Sequence, residues 1–280
     1  MGTFAEDIVV TRVHAGSYGA VLDHGWDLVP LPQGGIMVAL GLRAAQAEVA
    51  DPAQRLRSFT TVFAGQVSAG ELEIDVQTLR RGRSATQVST TVRNAGESEG
   101  ATTVAVFGGD RRGPAFVDVE RPQVPPPDEC PSYRDAPPPG VEPMETWPFW
   151  TRVEGRAALG HAPWEDYEPT SSEVATWLRF DQPPLLADGS HDPLGVVALA
   201  DRMPGCVRER TGPGGDRWFA PSADLTVHLF EPLRTEWLLA HDRAVWAGEG
   251  WASAQSTLWS QDGVLVARAV QTMLFTYLPG

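Results

Sequence analysis

One acidic residue, Asp201, lies in the largely apolar run from Leu194 to Met203. In HDPLGVVALADRMPGC, residues 191–206, a short apolar helix is expected from Leu194 to Met203, with Asp201 near its end. Pro193 suits a first helical position, and Pro204-Gly205 reads as a stop. A carboxylate beside such a helix is partly desolvated, which raises its basicity and lets it take a proton from water. The phrase also occurs earlier: VALGLR spans residues 38–43 and VALADR spans 197–202. The copies differ at Gly41-Leu42 against Ala200-Asp201. The chain is therefore expected to carry one structural unit twice, with the reactive group in the second copy. The alternative for Asp201 is a solvent-facing residue at a helix C-terminus. The helix dipole disfavours an acid there.

Other chemistries find less support. The formal net charge of −14 argues against general nucleic-acid binding, which needs a basic surface. A small anionic ligand needs only a local positive patch, and Arg80-Arg81-Gly82-Arg83 supplies one. The two cysteines, Cys130 and Cys206, suit a reducing compartment and lack metal-ligand spacing. No nucleotide motif, metal motif or Gly-x-Ser-x-Gly elbow occurs, so no cofactor is expected and a serine hydrolase is disfavoured. No apolar run approaches the length of a membrane span, and MGTFAEDIVVTRVH does not read as a signal peptide. A cytoplasmic protein is the simplest expectation.

The elements that must position Asp201 are legible in outline. Ile36 to Ala50 has apolar residues at 36, 37, 40, 44 and 47, a helical spacing, and Asp51-Pro52 ends it. Its first half is apolar nearly all round, so it should be enclosed. Residues 56–107 alternate like strands and suggest an antiparallel meander, clearest from Glu71 to Arg80. Prolines then crowd residues 114–148, including Pro125-Pro126-Pro127 and Pro137-Pro138-Pro139. Such a stretch cannot sit in a helix or central strand and reads as an extended surface linker. Afterwards the pattern starts again. Strands are expected at Trp150–Ala158 and Glu173–Asp181, then the helix of Asp201, then four more strands from Ser222 to Tyr277. GRSATQVST at 82–90 answers GWASAQSTL at 250–258, in the same order as the helix match. This gives an N-terminal unit at 1–108, a linker at 109–148 and a C-terminal unit at 149–280.

Two tandem units, each a helix wrapped by an antiparallel sheet, describe the double hotdog fold, an α+β architecture. The sequence resembles the bacterial acyl-CoA thioesterase II family over nearly its whole length. ADLTVHLFEPLRTEWLLAHDR and QDGVLVARAVQ carry the most specific part. PQGGIMVALGL is similar to the family's Gly-Gly entry to the first helix, LRRGRSATQV to its Arg-Gly turn and VPPPDECP to its linker. The resemblance implies hydrolysis of an acyl-CoA, or a related carrier-protein thioester, without a covalent nucleophile. In the family an Asp, a hydroxyl and a Gln polarise a water. Those roles fall on Asp201, on Ser222 where Thr is frequent, and on Gln271 in Ala267-Arg268-Ala269-Val270-Gln271. A hydroxyl and an amide fix a water without adding charge. Gly34, Gly35 and Gly195 are candidates for backbone donors to the carbonyl oxygen, since glycine lets backbone approach a ligand closely. Arg80, Arg81 and Arg83 are candidates for the phosphates of coenzyme A, or else a solvated hairpin tip. Hotdog sheets associate through edges or faces, so a homo-oligomer is expected.

Two other readings remain open at this stage. One is a hotdog dehydratase or hydratase, with His191 as the histidine and Asp201 as the acid. The other is a non-catalytic acyl-CoA-binding protein.

Overall fold

A computed structural model of the chain describes residues 2–28, 31–141, 146–214 and 217–277. Twelve strands form one antiparallel sheet. In the first half they are Thr11–His14 (β1), Ser17–Leu22 (β2), Arg55–Phe63 (β3), Gly70–Arg81 (β4), Ala85–Asn94 (β5) and Ala101–Gly108 (β6). In the second half they are Val153–Leu159 (β7), Glu173–Phe180 (β8), Ser222–Leu229 (β9), Leu238–Gly248 (β10), Trp251–Ser260 (β11) and Leu265–Leu274 (β12). Their spatial order is β1-β2-β4-β5-β6-β3-β9-β12-β11-β10-β8-β7. Each half repeats the other about the β3–β9 seam, with β1 to β6 answering β7 to β12. At the seam Thr60 lies opposite Thr226, and their hydroxyls meet at 2.9 Å.

The meander expected for residues 56–107 is corrected at one strand. β3 pairs with β6 and β9 and leaves β4 to pair with β2 and β5. The reason is topological. The long helix at Gly34–Val49 follows β2 and must be covered, so the chain returns to the far side of the growing sheet before it folds back.

Among the described residues four α-helices accompany the sheet: Phe4–Asp7 (α1), Gly34–Val49 (α2), Pro193–Ala200 (α3) and Pro204–Thr211 (α4). α2 lies against β4, β5 and β6, and most of its residues are buried. It ends where Ala50 adopts a left-handed conformation ahead of Asp51-Pro52. Every residue of α3 after Pro193 is buried, which explains why no polar face is visible in its sequence. The expected stop at Pro204-Gly205 is instead a new start. Proline is favoured in a first helical turn, and Pro204 opens α4 after a one-turn break at 201–203. That break frees Asp201 from helical geometry.

The two central helices cross at Gly35. A Cβ built there would lie 2.8 Å from Ala198 Cα and 2.9 Å from the carbonyl oxygens of Val197 and Ala198. All three are backbone atoms, so neither helix can yield by turning a side chain. Gly35→Val is expected to cost at least about 1–3 kcal/mol by overpacking. Thermal unfolding checks this, and an unchanged midpoint would contradict so close a crossing.

The linker lies along the outer side of the second half. The Trp177 indole N–H donates to the Pro125 carbonyl at 2.9 Å, and Arg156 donates to that of Pro127 at 2.9 Å. Val124, Cys130, Trp177, Trp237 and Trp259 form a small apolar cluster beneath it. Aromatic residues anchor the chain after the linker: Phe149 is fully buried beside Trp26 and Trp150.

Candidate active site

Asp201 occupies the break between α3 and α4 and is 6% exposed. Its side chain points at the first turn of α2. A Cβ built on Gly34 would lie 2.5 Å from Asp201 Oδ2, and the backbone N–H groups of Gly34 and Gly35 face the carboxylate. These are among the N–H groups that a helix leaves without internal partners, at the positive end of its dipole.

The other carboxylate oxygen meets side chains from the sheet. Ser222 Oγ donates to Asp201 Oδ1 at 2.9 Å, and Gln271 Nε2 donates to the same oxygen at 2.7 Å. Gln271 Nε2 also contacts Ser222 Oγ. Gln271 is fully buried, and its Oε1 has no hydrogen-bond partner among the described residues. The three residues that the family pattern singled out thus stand in one cluster, although 70 residues separate Asp201 from Gln271.

A bulge makes the cluster possible. Ser222 pairs with Met273, whereas Asp224 pairs with Thr272, so the register slips by one residue between them. Along β9 the buried residues are Leu225 and Val227. Strict alternation would turn Ser222 outward. The extra residue restores it to the inner face opposite buried Met273. Asp224 pins this bulge by accepting the Thr272 N–H at 2.8 Å. Asp224, two residues after Ser222, therefore has a mechanical role in holding that hydroxyl in the site.

Burial pushes the Asp201 carboxyl above the ordinary aspartate range. The donations from Ser222, the Gly35 N–H, Gln271 and the Gly34 N–H oppose this and favour the ionised form. The balance is a desolvated carboxylate held by neutral donors, with no cationic partner among the described residues.

The remaining candidates lie elsewhere. Gly195 is in the first turn of α3, where a Cβ would meet Pro184 Cγ at 3.0 Å and Phe180 Cε2 at 3.2 Å; it packs away from the cluster. Arg80, Arg81 and Arg83 are exposed at the end of β4 and its turn. Arg81 donates to the carbonyls of Val49 at 2.9 Å and Glu48 at 3.0 Å, capping the C-terminus of α2. That end lies about 24 Å from the Asp201 end, at 1.5 Å per residue over 16 residues. His191 precedes α3 and Asp201 follows it, so the eight residues of α3 hold them about 12 Å apart. Among the described residues no cluster of three or more His, Cys, Asp or Glu could hold a metal ion. No helix there is long and apolar enough to cross a membrane.

The sequence reading missed Gln33. This residue is 3% exposed and caps α2 by accepting the Ile36 N–H at 3.1 Å. Its Nε2 donates to the carbonyls of both Ala198 and Asp201 at 2.8 Å. The repeat carried a signal. The offset of 159 that matches Val38 to Val197 also places Gln33 opposite Asp192, the N-cap of α3. There Asp192 pairs with Arg43 and caps Leu194, while Leu42 stands where the other copy has Asp201.

A unit of six antiparallel strands around one enclosed helix, repeated in tandem to give a single twelve-stranded sheet with two crossed helices, defines a double hotdog protein. The match to known proteins is specific. The acyl-CoA thioesterase N-terminal domain matches residues 22–108, and the acyl-CoA thioesterase C-terminal domain matches residues 127–275. The chain belongs to this acyl-CoA thioesterase family and is a thioester hydrolase. Solved structures share the fold along its full length. A conserved hot dog fold protein of unknown function from Alicyclobacillus acidocaldarius superposes with a TM-score of 0.81 at 23% identity, covering 100% of both chains. An acyl-CoA thioesterase II from Mycobacterium marinum gives 0.75 at 21% identity, covering 99% of this chain and 100% of its own. No curated protein sequence matches the chain.

Proposed function

We propose that this chain hydrolyses fatty acyl-CoA thioesters by attack of a water that Asp201 deprotonates. One observation carries the reading: two neutral side-chain donors, Ser222 and Gln271, converge on a buried carboxylate while the Gln271 Oε1 beside it has no partner among the described residues. A water placed there can donate one hydrogen to Gln271 Oε1 and the other to Asp201. Its oxygen attacks the thioester carbonyl as the proton passes to Asp201. The tetrahedral intermediate then expels the coenzyme A thiolate, and Asp201 returns the proton to sulfur. The carboxylate loses its negative charge as the carbonyl oxygen gains one. The Gly34 and Gly35 N–H groups, which face Asp201 in the resting site, are placed to stabilise that charge as it moves. Ser222 and Gln271 hold the geometry throughout.

The separation of His191 from Asp201 along α3 disfavours the dehydratase alternative, which needs the two to act as a pair. Release of free thiol from acetyl-, hexanoyl-, dodecanoyl- and palmitoyl-CoA tests the proposal and ranks the acyl groups. No release from any of them would count against it.

A pH dependence follows. The base works only when ionised, and burial raises its pKa. The kcat profile is therefore expected to rise with pH along a limb lying above the ordinary aspartate value of about 3.9. A rate that stays flat from the acid side of that value to neutrality would contradict ionisation of Asp201 as the requirement.

A further inference from the structure

We infer that Gln33 is a positioning residue for the reaction, joining the start of α2 to the backbone of Asp201. The inference rests on the proposed role of Asp201. Its basis is a set of bonds from one side chain to both central helices. Gln33 and Asp201 are 168 residues apart, yet the Gln33 amide donates to the Asp201 carbonyl itself. The same Nε2 takes the Ala198 carbonyl, the last but two of α3. Asp201 has left helical geometry, with φ −90° and ψ 70°. The end of α3 is thus capped from the other half of the chain.

The second half of the amide acts on α2. Gln33 Oε1 accepts the Ile36 N–H. This leaves the Gly34 and Gly35 N–H groups as the ones that face the carboxylate. One buried side chain therefore sets both sides of the contact: where the Asp201 backbone stands and which helix donors meet its carboxylate. The repeat shows that the position is specialised. In the other copy it is Asp192, bound to Arg43, and the residue that matches Asp201 is Leu42. A neutral amide at position 33 joins the helices without placing a charge beside Asp201. A carboxylate there would oppose its ionisation.

Two variants test this against wild type and Asp201→Asn, using the acyl-CoA of the panel that wild type hydrolyses fastest. Gln33→Leu keeps the volume and removes every bond. It is expected to lower kcat about 10- to 100-fold, as small misplacements of reacting groups do, with KM changed less than about threefold. Gln33→Glu is expected to lower kcat and move the acid limb of the pH profile upward. A cap that only stabilises the fold would lower the unfolding midpoint and leave kcat and the limb of the folded enzyme where they were. That result would overturn the inference. If Gln33→Leu does not fold, the limb of Gln33→Glu decides. Wild type that releases no thiol, or Asp201→Asn that keeps its rate, overturns the proposed function instead. A dead Asp201→Asn beside unaffected Gln33 variants overturns only the role of Gln33.

Discussion

Asp201→Asn is expected to lower kcat by about a thousandfold, within the range of about 10²–10⁴ that general-base catalysis supplies. Asparagine preserves size. Its carbonyl oxygen can still accept from Ser222 and Gln271, which now donate to Asp201 Oδ1 at 2.9 and 2.7 Å. The amide cannot take the proton of an attacking water, and its NH2 cannot accept from the Gly34 and Gly35 N–H groups, so the base is lost while the contacts to Ser222 and Gln271 are kept. KM should therefore change far less than kcat. The measurement is steady-state thiol release, with circular dichroism to show that the variant is folded. A variant that keeps more than about a tenth of the wild-type kcat would remove Asp201 from the role of base.

The largest effect on stability is expected at Arg152→Ala, a loss of about 3–5 kcal/mol. Arg152 is 8% exposed and joins the two halves of the chain. Its guanidinium binds Asp7 at the end of α1 and Asp23 after β2, and stacks over the Trp26 ring at 4.6 Å. The Trp26 indole N–H also donates to Asp7, at 2.9 Å. Half-exposed Asp23 adds little, because water screens that pair. The cost comes from Asp7, whose enclosed carboxylate would keep only the indole N–H among the described residues, and from the space left against Trp26. At about 2 °C per kcal/mol for a chain this large, the unfolding midpoint should fall by about 6 °C or more. A shift under about 2 °C would show that the Arg152 contacts add little to the β3–β9 seam and the helix crossing that also join the halves.

Features with a local period were legible in the sequence. α2 and α3 appear as helical runs of apolar residues, and the strands from β4 onward alternate or are bounded by turns. The tandem repeat is visible because both copies of the central helix keep Val-Ala-Leu and a following Arg. Within the candidate site, Asp201 stood out as an acid in an apolar helix. Ser222 and Gln271 came from the family pattern, since neither has a local feature that separates it from ordinary strand residues.

What escaped was set by contacts between distant segments. Pro204 reads equally as an end or a beginning; packing of α4 on β8 and β10 decides in favour of a beginning. The displaced strand β3 has the alternation of any half-buried strand, and its partners are chosen by the need to cover α2. Gln33 looks like an ordinary loop residue before two glycines. Its partners lie at the end of α3, in the other half of the chain. Arg81 illustrates the converse. A cluster of arginines suggested a phosphate site, yet this side chain is bound to helix carbonyls.

The claim that water attacks the thioester directly is tested most closely by one turnover in oxygen-18 water, with enzyme in excess over substrate. The account predicts that the acid released in that turnover carries one oxygen-18 atom and that Asp201 carries none. Unlabelled acid from the first turnover, with the label in the Asp201 carboxylate, would mean that Asp201 itself attacked the carbonyl and formed an anhydride, and would contradict the account.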